Sequence, residues 1–233
     1  MDKIKLLQIR FDTILNFNEV PYFRGAVIGT NENMNILFHG HESPEKLRYS
    51  YPLIQYKLLN KKAAIICIDD GTLVIDEFLN STGFIFQIGN KNIEMKIEDV
   101  QAKLALIQTW DDLFSYNIHR WLALNSENYT KYKEFDSIVE KYSLLENILT
   151  ANILSLAKGI GIHFEHQVIC KITNINHSFV TNYKGVKMIA FNVEFKSNVS
   201  LPSHIGLGKG VSIGYGVVSK FDTNNKLHND GEN

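Results

Sequence analysis

The sequence has few of the residues that mark specialised classes of protein. Its 233 residues include only two cysteines and four prolines, and no apolar run reaches the roughly 18 residues of a membrane helix. Cys67 and Cys170 lie far apart in apolar segments, so they exclude a metal knuckle or redox pair and predict buried free thiols. The N-terminus also has no apolar signal core. We therefore expect a soluble cytoplasmic protein that does not associate with a membrane.

The chain also has little net charge. The 24 basic and 25 acidic residues give a net charge of −1, which argues against a protein that coats nucleic acid without specificity. The charge is segregated, however, because residues 46–62 contain Lys46, Arg48, Lys57, Lys61 and Lys62 but no acid. This run predicts a local basic patch, and the alternative is a merely solvated face.

Glycine is concentrated near the C-terminus. Residues 206–216 read GLGKGVSIGYG and hold five of the 15 glycines around a single cation, Lys209. Gly210 and Val211 follow Lys209 where a P-loop needs a hydroxyl side chain, and the glycine spacing does not fit a dinucleotide-binding fingerprint. The β-branched residues of 211–218 predict a strand. Two interpretations remain, a hairpin without a ligand and a loop whose free N–H groups and Lys209 bind phosphate.

The wider segment 201–218 resembles the C-terminal glycine-rich loop of the CRISPR-associated endoribonucleases that cut repeat RNA. Residues 37–42 (LFHGHE) and 49–57 (YSYPLIQYK) are similar to the stretch in which that family carries its catalytic histidine and tyrosine. The two segments lie near opposite ends, so the resemblance frames nearly the whole chain. It implies the repeat-associated, ferredoxin-like superfamily.

The hydrophobic pattern agrees with an α+β fold of two tandem ferredoxin-like (RRM-like) domains. In residues 1–101 we predict strands at 4–11, 49–59 and 63–68, helices at 18–28 and 71–79, and a hairpin at 84–98 around Gly89. In residues 102–222 we predict an irregular second domain with a helix at 135–158, strands at 167–174 and 189–195, and the glycine-rich loop. The domain boundary is placed near Gln101, and the tail 223–233 is predicted to be disordered.

His39 and His41 are the candidate chemical groups. Two residues apart, they project from the same side of an extended backbone. They fit a pair of surface histidines, a metal site of the HxH kind, or metal-independent RNA cleavage, although no further metal ligands follow nearby. In RNA cleavage a base takes the ribose 2′ proton and an acid protonates the leaving 5′ oxygen, and histidine suits both tasks.

The resemblance assigns roles to individual residues. It implies that His39 and His41 transfer protons, without telling which is the base, and that Tyr49 contacts the 2′-hydroxyl. Tyr51 and Tyr56 are alternatives to Tyr49, but packing in a strand is the preferred interpretation of Tyr56. The expected RNA-binding residues are Arg24, Lys46, Arg48, Lys57, Gly206, Gly208, Lys209, Gly210, Gly214 and Gly216. No metal and no cofactor are expected.

The predicted function is a metal-independent endoribonuclease that cuts CRISPR precursor RNA within its repeats to give guide RNAs. The predicted partners are repeat RNA, as precursor and as processed guide, CRISPR effector proteins and a second copy of the chain. Two alternatives remain open, a non-catalytic RNA-binding subunit of an effector complex and a metal-dependent hydrolase built on His39 and His41.

Overall fold

A computed structural model describes residues 3–29, 51–79 and 84–221. Lys46, Arg48, Tyr49 and the candidate catalytic residues His39 and His41 lie outside the described residues. None of the helices in the described ranges is both long and apolar enough to cross a membrane.

The N-terminal domain is built on a four-stranded antiparallel sheet. Its elements in chain order are β1 (Ile4–Ile14), α1 (Val20–Gly29), β2 (Ile54–Leu59), β3 (Lys62–Ile68), α2 (Ile75–Leu79), β4 (Ile85–Ile88), β5 (Lys91–Glu94) and β6 (Ile97–Ala105). The order β2-β3-β1-β6 is that of a ferredoxin-like sheet. Short 3₁₀ helices at Phe17–Glu19 and Asp69–Thr72 precede α1 and α2.

The predicted hairpin around Gly89 is confirmed, but its place in the fold is different. β4 and β5 form a separate two-stranded sheet, and the fourth ferredoxin strand is β6. Gln101 lies inside β6 opposite Gln8 of β1, and the strand continues to Ala105. The boundary between the domains therefore moves from Gln101 to a point after Ala105.

The C-terminal domain repeats the sheet order with one helix replaced. Its elements are β7 (Thr109–Trp121), α3 (Ser126–Glu134), α4 (Ile138–Gly159), β8 (Cys170–Tyr183), β9 (Val186–Val199) and β10 (Val217–Lys220), arranged in the order β10-β7-β9-β8. Where the second helix of a ferredoxin-like fold would stand, between β9 and β10, the chain forms the glycine-rich loop. The second domain is therefore irregular, as predicted.

The strand expected over residues 211–218 is only partly correct. Val211–Ile213 form a 3₁₀ turn, and β10 does not begin until Val217. Gly210 and Gly214 on either side of the turn have φ angles of 76° and 87°. This left-handed backbone interrupts an extended chain, and glycine adopts it without steric cost.

The two domains share a continuous core. In β3, Ala63, Ile65 and Cys67 pack beneath α1, whereas Ala64, Ile66 and Ile68 face the C-terminal domain. The interdomain cluster also contains Trp121 and Leu149. Because successive strand residues point to opposite faces, a sheet buried on both sides requires an apolar residue at nearly every position of β3. Both cysteines are buried and free, as predicted.

Candidate RNA-binding interface

The glycine-rich loop contacts the N-terminal domain through Tyr51, the first described residue after His39, His41 and Tyr49. The Tyr51 hydroxyl donates to the Gly206 carbonyl oxygen at 2.8 Å, and the Gln55 side-chain amide donates to the Tyr51 hydroxyl at 2.8 Å. The Gly206 N–H in turn donates to Gln55 Oε1 at 3.0 Å. Burial raises the pKa of Tyr51, so the hydroxyl remains a neutral donor.

Tyr51 is also held by the end of α4. A side-chain carbon at Gly159 would overlap the Tyr51 Cβ, so the lack of a side chain there makes room for the tyrosine. Tyr51 is thus fixed between α4 and the glycine-rich loop. In the chain, Tyr51 follows the segment that carries His39 and His41.

Three of the loop glycines serve the fold itself. Gly206, Gly214 and Gly216 are buried, and their N–H groups donate to Gln55, Val211 and Arg120. A Cβ at Gly216 would overlap the Leu207 carbonyl oxygen, and one at Gly206 would overlap the Val211 side chain. The expectation that these three amides contact phosphate is therefore corrected, because their N–H groups already donate within the protein and the glycines do not reach solvent.

The part of the loop that reaches solvent is centred on Lys209. Gly208 and Gly210 are partly exposed and Lys209 is exposed. Gly208 has a φ of 87°, and a Cβ there would lie 2.9 Å from both Asn152 Oδ1 and Trp121 Nε1. Gly208, Lys209 and Asn152 border a pocket of about 170 Å³ whose lining also includes Tyr51, Asn125 and Ser155. The exposed loop cation and the anchored tyrosine therefore line the same pocket.

Tyr183 of the C-terminal domain lies near the loop and within electrostatic range of Arg24 in the N-terminal domain. Arg24, partly exposed on α1, acts electrostatically on Tyr183 at the tip of the β8–β9 hairpin, although burial raises the pKa of Tyr183 overall. The Lys209 Nζ lies 5.8 Å from the centre of the Tyr183 ring. Lys209, one of the predicted RNA-binding cations, thus lies over an aromatic side chain of the second domain.

Comparison with known protein families matches both halves of the chain. Residues 2–105 match the Cas6b N-terminal domain, and residues 108–221 match the Cas6b C-terminal domain. The chain belongs to the Cas6b family. This confirms the resemblance to CRISPR-associated endoribonucleases that was based on the histidine segment and the glycine-rich loop.

Individual relatives agree with this family. A solved Cas6b structure superposes with a TM-score of 0.86 at 25% identity over 94% of this chain and 100% of that one. A second, described as the CRISPR RNA processing endoribonuclease Cas6b, gives 0.71 at 27% identity over 94% and 100%. An uncharacterized protein of Methanocaldococcus jannaschii is 34% identical over 125 residues, which is 53% of this chain and 79% of that protein. The superposition on the first Cas6b structure confirms the predicted fold of two tandem ferredoxin-like domains.

Lys57 of this Cas6b chain does not have the role expected of it. Its side chain is fully buried on the face of β2 that also carries Gln55, and its Nζ has no hydrogen-bond partner among the described residues. Loss of hydration lowers the pKa of Lys57 well below its usual value. A buried amine cannot contact an RNA phosphate at the surface, so the assignment is corrected.

Replacing Lys57 by methionine is expected to stabilise the Cas6b chain at pH 7 by roughly 1 to 3 kcal/mol, because an unsatisfied buried polar group is removed. The pKa of Lys57 is lower in the folded chain, so the unfolded chain binds more protons and wild-type stability rises with pH up to about 10.4. The advantage of the variant should therefore shrink as the pH rises, which urea unfolding at pH 7 and pH 9.5 measures. Lys61→Met, at an exposed lysine in the following turn, is the control, and an equal effect there would contradict the prediction.

Arg120 is a cation near the glycine-rich loop that was not among the RNA-binding residues predicted from the sequence. The Arg120 guanidinium lies 4.1 Å from the centre of the Phe17 ring and 5.3 Å from that of Phe179. Arg120 stands at an irregularity of β7, where its φ is 53° and its N–H donates to Asn192 Oδ1. Arg120 and its two ring partners come from distant segments, so no pattern in the sequence predicts that they are in contact.

Three further histidines of the described residues have other positions. His204 Nδ1 lies 2.8 Å from Gln8 Oε1, across the two domains, and burial lowers the pKa of His204. His163 and His166 are exposed in the connection between α4 and β8. His204 is thus an interdomain contact.

Proposed function

We propose that this protein is a metal-independent endoribonuclease that cuts CRISPR precursor RNA within its repeats to give guide RNAs. The observation that carries the proposal is the contact of Tyr51 with Gly206, in a chain of the Cas6b family. Tyr51 follows His39 and His41 in the chain, and its hydroxyl contacts the glycine-rich loop across more than 150 residues of sequence. A similar solved structure is described as a CRISPR RNA processing endoribonuclease.

The proposed reaction needs proton transfer and charge stabilisation only. The ribose 2′-oxygen attacks the adjacent phosphorus, the bond to the 5′-oxygen breaks, and the products are a 2′,3′-cyclic phosphate and a 5′-hydroxyl. One of His39 and His41 takes the 2′ proton and the other protonates the leaving oxygen. Tyr49 hydrogen-bonds the 2′-hydroxyl, and Lys46 and Arg48 stabilise the negative charge on the phosphorane.

The proposed RNA contacts among the described residues are exposed or partly exposed cations of the two domains. Lys209 lies over the Tyr183 ring, Arg24 acts electrostatically on Tyr183, and Tyr51 and Lys209 line the same pocket. Cations that meet phosphates fix the position of a nucleic acid without reading its sequence. We therefore propose that the exposed part of the loop holds the RNA backbone while the histidine segment carries out the chemistry.

A substrate with a single 2′-deoxyribose at the cleavage position tests the reaction. The protein is expected to cut the all-ribose repeat in EDTA, with a 2′,3′-cyclic phosphate end detected by mass spectrometry, and to bind but not cut the deoxy substrate. Cleavage of the deoxy substrate would contradict attack by the 2′-hydroxyl. Loss of activity in EDTA would favour the metal-dependent hydrolase, and binding without cleavage of either RNA would favour a non-catalytic subunit. Association with effector proteins or with a second copy remains a prediction.

A further inference from the structure

A row of rings and cations runs from the glycine-rich loop along the face of β8. His177 stacks on Phe179 with ring centres 5.6 Å apart and an interplanar angle of 20°. Arg120 lies between Phe179 and Phe17, and Phe17 meets Tyr215 edge-on at 4.9 Å. Tyr215 contacts Tyr183, over which Lys209 lies. We call this set the aromatic row: His177, Phe179, Arg120, Phe17, Tyr215, Tyr183 and Lys209.

The cations of the row are not neutralised within the described structure. Arg120, Lys209 and the neighbouring Lys184 form no ion pair with any described carboxylate, although other lysines of the chain do. An arginine that lies on ring faces keeps its full charge and its N–H donors toward an incoming anion. The row therefore combines positive charge with aromatic faces.

The outer end of the row is open. His177 is exposed, and Phe179, Arg120 and Tyr183 are partly exposed, while Tyr215 is buried beneath them. If these contacts served only to hold Phe17 against β8, Arg120 and Phe179 would be sufficient. The exposed ring of His177, stacked on Phe179, would not be needed. From His177 to Tyr183 the strand extends about 20 Å, which is long enough to contact several nucleotides.

We propose that the aromatic row is a stacking platform for unpaired bases of the bound RNA, with Arg120 and Lys209 meeting the flanking phosphates. Bases stack on aromatic faces without regard to sequence, and positive charge along the path follows the backbone. Lys209 belongs both to the row and to the lining of the Tyr51 pocket, so RNA on the platform continues toward that pocket. The inference rests on the proposed RNA-binding function and extends it to a ligand class, single-stranded RNA next to the cut.

His177→Ala and Phe179→Leu test the platform with a repeat RNA made uncleavable by one 2′-deoxyribose. Each variant is expected to weaken binding about tenfold, because a stacked base is lost. His177→Phe keeps a ring and should bind like wild type. Val180→Ala is the matched control, since Val180 lies on the same strand, is exposed and projects from the opposite face.

The salt dependence of binding distinguishes the contribution of base stacking to affinity from that of phosphate contacts. His177→Ala should leave the slope of log K against log salt unchanged, whereas Arg120→Gln should reduce it by about 0.7 if one phosphate contact is lost. In wild type, 2-aminopurine at an unpaired position beside the cut should be quenched on binding, and His177→Ala should abolish this quenching.

Wild-type affinity and quenching in His177→Ala would overturn the platform, and this exposed residue can be changed without disturbing the core. Affinity that His177→Phe fails to restore would also overturn it, since that result indicates a hydrogen bond instead of stacking. Cleavage by wild type is measured separately. If wild type binds through the row but never cuts, the proposed reaction fails and the platform stands.

Discussion

Alanine at either His39 or His41 is expected to lower the rate of repeat RNA cleavage by about 100- to 10,000-fold, with RNA affinity nearly unchanged. A positioned general acid or base contributes a factor of this size. Affinity should persist because the proposed RNA contacts at Lys209 and Arg24 lie on other segments. Single-turnover cleavage with excess protein measures the chemical step, and binding of the 2′-deoxy RNA measures affinity.

The double variant makes the test of the histidine pair sharper. If the two histidines act as one base and one acid in the same step, changing both should cost little more than changing one. His163→Ala, at an exposed histidine in the connection between α4 and β8, is the control and should cut normally. Wild-type rates in both single variants would remove His39 and His41 from the proposed mechanism.

The second large effect concerns the fold of the glycine-rich loop. Gly216→Ala is expected to destabilise the protein by about 3 kcal/mol or more and to lower its melting temperature by about 6 to 12 °C. Two costs add at this position: a φ of 63°, which an L side chain rarely adopts, and an overlap of the new Cβ with the Leu207 carbonyl oxygen. Thermal unfolding followed by circular dichroism measures the change.

Gly185→Ala separates these two costs. Gly185 also has a positive φ, 80°, but space around it is open, so alanine there should cost only about 1 kcal/mol. Equal destabilisation in the two variants would show that the approach of Leu207 adds nothing. A Gly216→Ala variant that was as stable as wild type but failed to bind RNA would indicate that Gly216 contacts the phosphate backbone directly.

The helix α4 shows how much of the fold local pattern can predict. The apolar spacing predicted a helix over 135–158, and α4 runs from Ile138 to Gly159 with the Ser137 side chain accepting from the Val139 N–H at its start. Its buried residues Leu145, Leu149 and Ile153 recur every four positions, which is a property of the sequence alone. Strand β8 extends beyond its predicted end because exposed polar residues hide the alternation there, and β9 continues to Val199 through the buried polar residues Ser197 and Asn198.

The candidate site was less predictable, and Lys57 shows why. Charge and position in a basic run indicated a phosphate contact, whereas the fold places the C-terminal domain over that face of β2 and removes the amine from water. Arg120 shows the opposite case, since nothing around it in sequence marks a ligand site. Its two ring partners come from segments about 100 residues before it and 60 residues after it.

The sequence by itself determined the family, through the histidine segment and the glycine-rich loop, and it determined the two ferredoxin-like domains through local periodicity. Only the tertiary structure decided which glycines are structural, which cations reach solvent and which rings lie together. The physical reason is that periodicity assigns a residue to one face of a strand or helix. What covers that face depends on contacts between residues far apart in the chain, such as Tyr51 with Gly206 and Arg120 with Phe17 and Phe179.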